Sequence, residues 1–273
     1  MLILAATPIG NLSDASARLI EHLSSAKYIA AEDTRNLLKL AQGLNIKLSA
    51  KLFSLHEHNE SDRISEILRI AETEDVLVVS DAGMPTISDP GFVLVRAAVN
   101  AGIPVTVIPG PSAVISALAV SGLPTDSFSF EGFIPRKSGE REKFFKALAN
   151  ETRTMIFFES AHRVAESLRS AAAILGPRQA SVSRELTKKF EETVRGDLTE
   201  LADWATVEPK GELVICIAGN SSEKAVDLSE LIEIVEALRT SGNSLKDAVA
   251  KVAELAGVSK SELYDQTIAS RAE

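Results

Sequence analysis

Val76-Leu77-Val78-Val79-Ser80-Asp81-Ala82-Gly83-Met84-Pro85-Thr86-Ile87-Ser88-Asp89-Pro90-Gly91 decides the fold of this chain. Val76 to Val79 is an unbroken apolar run with three β-branched residues, the pattern of a strand buried on both faces in a parallel sheet. Past its end, Ser80, Asp81, Gly83, Pro85, Thr86, Ser88, Asp89, Pro90 and Gly91 crowd together hydroxyls, carboxylates and backbone-shaping residues. Open α/β sheets place their ligand crevices beyond the C-terminal ends of strands. A second instance follows, with Val105 to Ile108 as a strand and Pro109-Gly110-Pro111-Ser112-Ala113 as the turn into a helix. Two Gly/Pro-shaped loops at one edge of a sheet predict a small-molecule site.

The same alternation extends outward. Strands are predicted at 2–6, 28–31 and 51–55, and helices from Ser13 (a candidate cap) to about Ser24, from about 35 to Gln42, and over 61–72, 92–101 and 112–121. This is a strand-helix rhythm for a mainly parallel sheet. Gly122-Leu123-Pro124-Thr125-Asp126 breaks it, and beyond lie strands at 128–133, 154–159, 180–184, 193–195 and 212–218, with helices following Arg136 and over 164–175 and 197–204. After Gly219-Asn220-Ser221-Ser222, the tail reads as short helices with capping-box-like starts at Ser244-x-x-Asp247 and Ser259-x-x-Glu262, and an apolar stripe through Val249 and Val252. The predicted organisation is an α/β domain over 1–122, a second α/β domain with a mixed sheet over 123–219, and a small helical domain over 228–273.

Composition narrows the function. A formal charge of −9 argues against a general nucleic-acid coat, but residues 131–195 hold 13 Lys/Arg against 9 Asp/Glu, so a polyanionic partner would meet the middle of the chain. No apolar run approaches the roughly 20 residues of a membrane span, and MLILAATPIG lacks the basic start of a signal peptide, which leaves a cytoplasmic protein as the expectation. The single Cys216 lies in an apolar run and reads as core, with no metal site expected. His56 and His58 read as surface or cleft residues, lacking a third ligand nearby. Neither G-x-G-x-x-G nor G-x-x-x-x-G-K-[ST] opens a helix after the first strand, so the dinucleotide and P-loop readings lose their main support.

Seven motifs in order carry a resemblance: ATPIGNL near the start, AEDTR (31–35), SDAGMPTISDPG (80–91), PGPSA (109–113), EGFIPRK (131–137), ESAHR (159–163) and RELTKKFEE (184–192). Together they resemble the tetrapyrrole-methylase-like superfamily of S-adenosylmethionine-dependent enzymes. Within it the chain resembles the ribosomal RNA small-subunit methyltransferase I family, which methylates a cytidine ribose 2′-hydroxyl. One departure is Ala161, where the family usually has proline.

The resemblance implies two α/β domains with the methyl donor between them, usually in a homodimer, acting on 16S rRNA in the small subunit. It places the donor on Pro8, Gly10, Asp81, Gly83, Ser88, Pro109, Gly110, Ser112 and Ala113. Transfer to a ribose hydroxyl needs a base for its proton; Glu32 is the first candidate, with Glu159 and Glu185 as rivals. Asp33 reads equally as a helix cap, and Arg35 as a phosphate clamp or a solvated residue. Arg136, Lys137, His162, Arg163, Arg184, Lys188 and Lys189 are the candidate RNA contacts, although Glu140 and Glu142 dilute the first of these segments. A small-molecule methylase of the same fold and a non-catalytic assembly factor remain the alternatives.

Overall fold

The computed structural model describes residues 1–55, 60–207, 209–220, 228–256 and 258–270; His56 and His58 lie outside them. Met1–Gly219 form one compact unit and Asn220–Glu273 another.

The first unit holds two five-stranded sheets. In the first, β1 (Leu2–Ala5), β2 (Tyr28–Ala31), β3 (Lys51–Ser54), β4 (Val76–Val79) and β5 (Val105–Ile108) run all-parallel in the order β3-β2-β4-β1-β5. The helices α1 (Ala17–Ser25), α2 (Thr34–Gly43), α3 (Glu60–Ala71) and α4 (Phe92–Asn100) lie between its strands in sequence. The apolar run of β4 reflects cover on both sides: Val76 and Val78 join one core with Ile67 and Leu94, while Leu77 and Val79 join the opposite core with Leu19 and Leu37. Each such buried side chain stabilises the fold by about 1.5–3 kcal/mol.

The α1 start differs from the sequence expectation. Leu12–Asp14 form a 3-10 turn, and Ser16 rather than Ser13 caps the helix, its Oγ accepting the Leu19 N–H at 3.1 Å. Asn11 takes the amide that competes for Ser13, its Oδ1 accepting the Ser13 N–H at 3.0 Å and closing the turn.

After α5 (Ala113–Ser121), the second sheet is mixed. Its strands β6 (Phe128–Phe133), β7 (Thr154–Ser160), β8 (Gln179–Arg184), β9 (Glu192–Asp197) and β10 (Glu212–Ile217) are ordered β6-β7-β10-β8-β9, with only β6 and β7 parallel. The helices α6 (Ser138–Ala147), α7 (Val164–Leu175) and α8 (Leu198–Trp204) accompany it, and Phe145, Leu168 and Leu201 share a core with Phe157 and Ile215. The other face receives α5, whose Val114, Ala117 and Leu118 pack with Ile156, Val214 and Cys216. The helix leaving β5 thus ties one sheet to the other and fixes the loops of the first over a face of the second. Burial pushes the Cys216 thiol up to about 12, so it stays a neutral core residue.

The second unit contains α9 (Leu228–Thr240), α10 (Leu245–Ala256) and α11 (Lys260–Ala269) around Leu231, Val235, Val249, Val252 and Leu263. Ser244 accepts the Asp247 N–H at 3.1 Å and Ser259 the Glu262 N–H at 3.4 Å, capping α10 and α11.

Candidate active site

Because β4, β1 and β5 are neighbours, the loops that follow them lie side by side although they are far apart in sequence. Thr7 and Gly83 exchange backbone hydrogen bonds, Thr7 N–H to the Gly83 carbonyl at 2.9 Å and Gly83 N–H to the Thr7 carbonyl at 3.1 Å. The loop after β4 is bent by four left-handed residues, Gly83 (φ 79°), Thr86 (φ 77°), Ser88 (φ 61°) and Gly91 (φ 118°). For a β-branched Thr and a Ser this conformation is strained, and such strain concentrates at functional sites. The facing loop after β8 repeats it at Glu185 (φ 50°) and Thr187 (φ 67°).

Between these loops and the α5-bearing face of the second sheet lies a cavity of ≈ 320 Å³. Ile9, Gly83, Met84 and Ile87 come from the first-sheet loops, Ser112, Ala113 and Val114 from the start of α5, Phe133, Phe158 and Val214 from the second sheet, and Leu186 from the loop after β8. Phe158 meets Phe133 edge-on at 5.4 Å between ring centroids, forming an aromatic wall. Its carboxylates are Asp89, Glu159 and Glu212, and among the described residues no Lys, Arg or His lines it. An apolar, aromatic and acidic wall suits a cation carrying a flat heterocycle, and disfavours a phosphate. Ser112 precedes α5 without making a side-chain cap bond, leaving its hydroxyl and the helix N-terminus available to a polar ligand group. The residues present therefore fit S-adenosylmethionine.

Of the expected donor contacts, Gly83, Ser112 and Ala113 line the cavity. Gly10, Asp81, Ser88, Pro8, Pro109 and Gly110 do not. A Cβ on Gly10 would meet Lys188 Cγ at 2.4 Å, so this glycine lets the β1 loop pass the loop after β8. A Cβ on Gly110 would lie 2.9 Å from Ala6 Cβ, so Gly110 permits the close approach of the loops after β5 and β1. Asp81 faces α2 instead: its Oδ1 accepts the Asp33 N–H at 3.2 Å and its Oδ2 the Asn36 side-chain amide at 2.7 Å. This is a favourable place for a carboxylate, at a helix N-terminus.

The candidate bases separate clearly. Glu32 Oε2 accepts the Asp81 N–H at 3.1 Å, and Glu32 is not part of the cavity wall. Glu159 lines the cavity but its side chain is 0% exposed and fully engaged. Its Oε1 accepts from Ser160 N–H at 2.7 Å and lies 2.5 Å from Arg163 Nη2, and its Oε2 accepts from Ser167 Oγ at 2.5 Å. Glu185 is held by Lys188, whose Nζ donates at 3.0 Å and keeps its carboxyl below the usual range. Both carboxylates are thus held by cations, Glu159 by Arg163 and Glu185 by Lys188. Asp33 caps α2 and binds Arg35, whose guanidinium and backbone N–H hold its carboxyl down at about 2.

The expected RNA contacts also divide. Arg163 is a strut, donating from Nε to Ser160 Oγ at 2.9 Å and from Nη1 to the Ile134 carbonyl at 3.2 Å, which removes it from the exposed set. Lys188 bridges Glu185 and Glu212, and Arg184 pairs with Glu192 at 2.7 Å. His162 is exposed, Lys137 is exposed beside Glu140, and Lys189 stands 5.5 Å over the Phe190 ring. Arg136 uses its backbone carbonyl to receive Arg141, which is buried against Glu166. Most of the acids of 131–195 are taken up in local ion pairs, which leaves the positive balance of the segment on cations such as Arg136 and Lys189. Asp89, one of the carboxylates in its motif, carries no sequence signal for the cavity; its place on the wall depends on the bent loop.

The chain matches the family described as tetrapyrrole (corrin/porphyrin) methylases over residues 1–202. It is 47% identical over 275 residues to "Ribosomal RNA small subunit methyltransferase I" of Mycobacterium tuberculosis (strain CDC 1551 / Oshkosh), covering 100% of this chain and 96% of that relative. Among solved structures, the methyltransferase CobJ superposes with TM-score 0.61 at 19% identity, covering 81% of this chain and 94% of that one. Uroporphyrin-III C-methyl transferase from Thermus thermophilus complexed with S-adenyl homocysteine superposes with TM-score 0.54 at 18% identity, covering 80% and 96%. The two-sheet arrangement, the sequence match and the full-length identity agree: this chain belongs to the tetrapyrrole methylases, and among them to the ribosomal RNA small subunit methyltransferase I family.

Proposed function

We propose that this protein transfers a methyl group from S-adenosylmethionine to the 2′-hydroxyl of a cytidine ribose in 16S rRNA of the small ribosomal subunit. The observation that carries the reading is the 47% identity, across the whole chain, to a relative named for methylation of small-subunit ribosomal RNA. The acidic, aromatic cavity supports it, since it suits the donor and leaves the polyanion outside.

The donor supplies a methyl group bonded to a cationic sulfur. Phe133, Phe158, Ser112 and the wall carboxylates would hold the donor, the aromatic rings offering apolar surface and the carboxylates favouring its cationic sulfur. Holding both reactants in line contributes more to rate than any single contact. Arg136, Lys137, His162, Arg184 and Lys189 are the polar groups available to RNA, and the ion pairs of Lys137 and Arg184 make the shape of a folded subunit matter more than charge alone.

The protein acts in the cytoplasm as a homodimer. No described helix is long and apolar enough to cross a membrane. Exposed Phe92, Val99, Val107 and Ile115 lie on the edge strand β5 and on the helices either side of it in sequence, which supports self-association there. A Val107→Lys variant that elutes at monomer mass is the expected outcome, and unchanged dimer mass removes this surface.

The function is tested by incubating small subunits lacking native modifications with labelled S-adenosylmethionine, then digesting the RNA and weighing its nucleosides. A 2′-O-methylated cytidine is expected. Label found only on base atoms, or none despite donor binding, rejects the assignment.

A further inference from the structure

Asp89 stands on the cavity wall within the strained loop after β4. Left-handed Ser88 and Gly91 flank it, and the Thr86 N–H donates to the Pro90 carbonyl at 3.2 Å, so the loop is closed around it. Three carboxylates line this cavity among the described residues. Glu159 is committed to Arg163 and Ser167, and Glu212 accepts from Lys188 Nζ at 2.9 Å. Asp89 has the Ser80 hydroxyl as a hydrogen-bond donor and forms no ion pair among the described residues. A proton acceptor must reach the reactants and must not be neutralised by a cation, and of the three wall carboxylates Asp89 alone satisfies both conditions.

We propose that Asp89 is the general base of the methyl transfer, taking the proton of the acceptor hydroxyl in place of Glu32. This rests on the reading of the cavity as a methyl-transfer site. As the hydroxyl oxygen forms its bond to the methyl carbon, the carbon–sulfur bond breaks and its electron pair leaves on a neutral thioether. The hydroxyl proton passes to the Asp89 carboxylate, which becomes a neutral acid and returns the proton to water.

The charged groups around Asp89 suit this task. Burial, then the negative charges of Glu32 at the end of β2 and Asp81 after β4, raise its carboxyl to about 6 against the opposing Ser80 hydrogen bond. Glu159 on β7 and Glu212 on β10 are the other carboxylates of the wall. Asp89 is therefore ionised at neutral pH yet more basic than an ordinary carboxylate. Glu32 accepts the Asp81 N–H, and its charge raises the Asp89 carboxyl.

The test uses the full chain with Asp89→Asn and Asp89→Glu. In the donor-free protein, carbon NMR of labelled carboxyl groups is expected to show one aspartate titrating near the raised value and absent from D89N. Calorimetry with S-adenosylhomocysteine should find D89N binding within about threefold of wild type, while its rate at saturating donor falls by about 10²–10⁴-fold. D89E should recover part of that rate and shift the acid limb of the pH profile. Wild-type rate in D89N overturns the assignment, as does a loss that saturating donor restores, or the absence of the titrating aspartate. A wild-type protein that binds S-adenosylhomocysteine but methylates no RNA rejects the function itself, and the base assignment with it.

Discussion

Replacing Glu159 by Gln should unfold the protein more than it slows the chemistry. The buried carboxylate of Glu159 faces Arg163, which is 16% exposed, and also accepts from Ser160 and Ser167. The amide of Gln keeps the shape but loses the charge and turns one acceptor into a donor facing Arg163 or Ser167. Removing one partner of a buried ion pair costs about 3–5 kcal/mol. The lower end applies, about 3 kcal/mol, because Arg163 retains some water contact together with Ser160 Oγ and the Ile134 carbonyl. For a unit of this size each kcal/mol lowers the melting temperature by roughly 2–4 °C, so E159Q should melt about 6–12 °C below wild type. The assay pairs thermal and urea unfolding with methyl transfer measured well below the transition, per mole of folded protein. Activity should then stay within about tenfold of wild type. An E159Q protein with wild-type stability and a rate reduced beyond 100-fold would refute the reasoning and return Glu159 to the chemistry.

Other perturbations follow from the same site. The raised carboxyl of Asp89 means that its ionisation costs folding stability: protonation is favoured by the fold, so the cost is absent below the ordinary value of 3.8 and complete above about 6. After discounting for its partial exposure, D89N should be more stable by about 1 kcal/mol at pH 7.5 and equal to wild type near pH 4, as read from urea midpoints across that range. Gly110→Ala sets a Cβ 2.9 Å from Ala6 Cβ, and neither atom is on a flexible arm; a loss of about 1–3 kcal/mol and donor binding weakened more than tenfold are expected by melting and calorimetry. Ser112 makes no cap bond, so Ser112→Ala should leave the melting temperature unchanged while weakening S-adenosylhomocysteine binding by about 2–10-fold, the equivalent of one hydrogen bond.

Much of the fold is legible because its signals are local. The β4 run is apolar at every position since both faces of a parallel strand are covered, and α7 begins and ends where its apolar period does. The loops could be named as the site from their Gly, Pro and hydroxyl content. Their division of labour could not, because it depends on contacts between distant segments. Asp81 turns to α2 and Asp89 to the cavity, although the two lie eight positions apart on one loop. Arg163 reads as a candidate RNA contact, but Glu159 at the end of β7 draws it inward. Ser13 lost the cap to Ser16 because Asn11 closes a tighter turn first.

The strand order also sets a timetable. β1 is made before both of the strands that flank it, β4 and β5, so its second neighbour is complete only at Ile108. At about 5–20 residues per second of synthesis, β1 waits roughly 5–20 s for its place in the sheet. In that interval the run Val76–Val79 is already made and has no completed sheet around it. A translational pause before codon 108 would prolong the exposure of this apolar run, and the loops that line the cavity cannot be gathered until it ends.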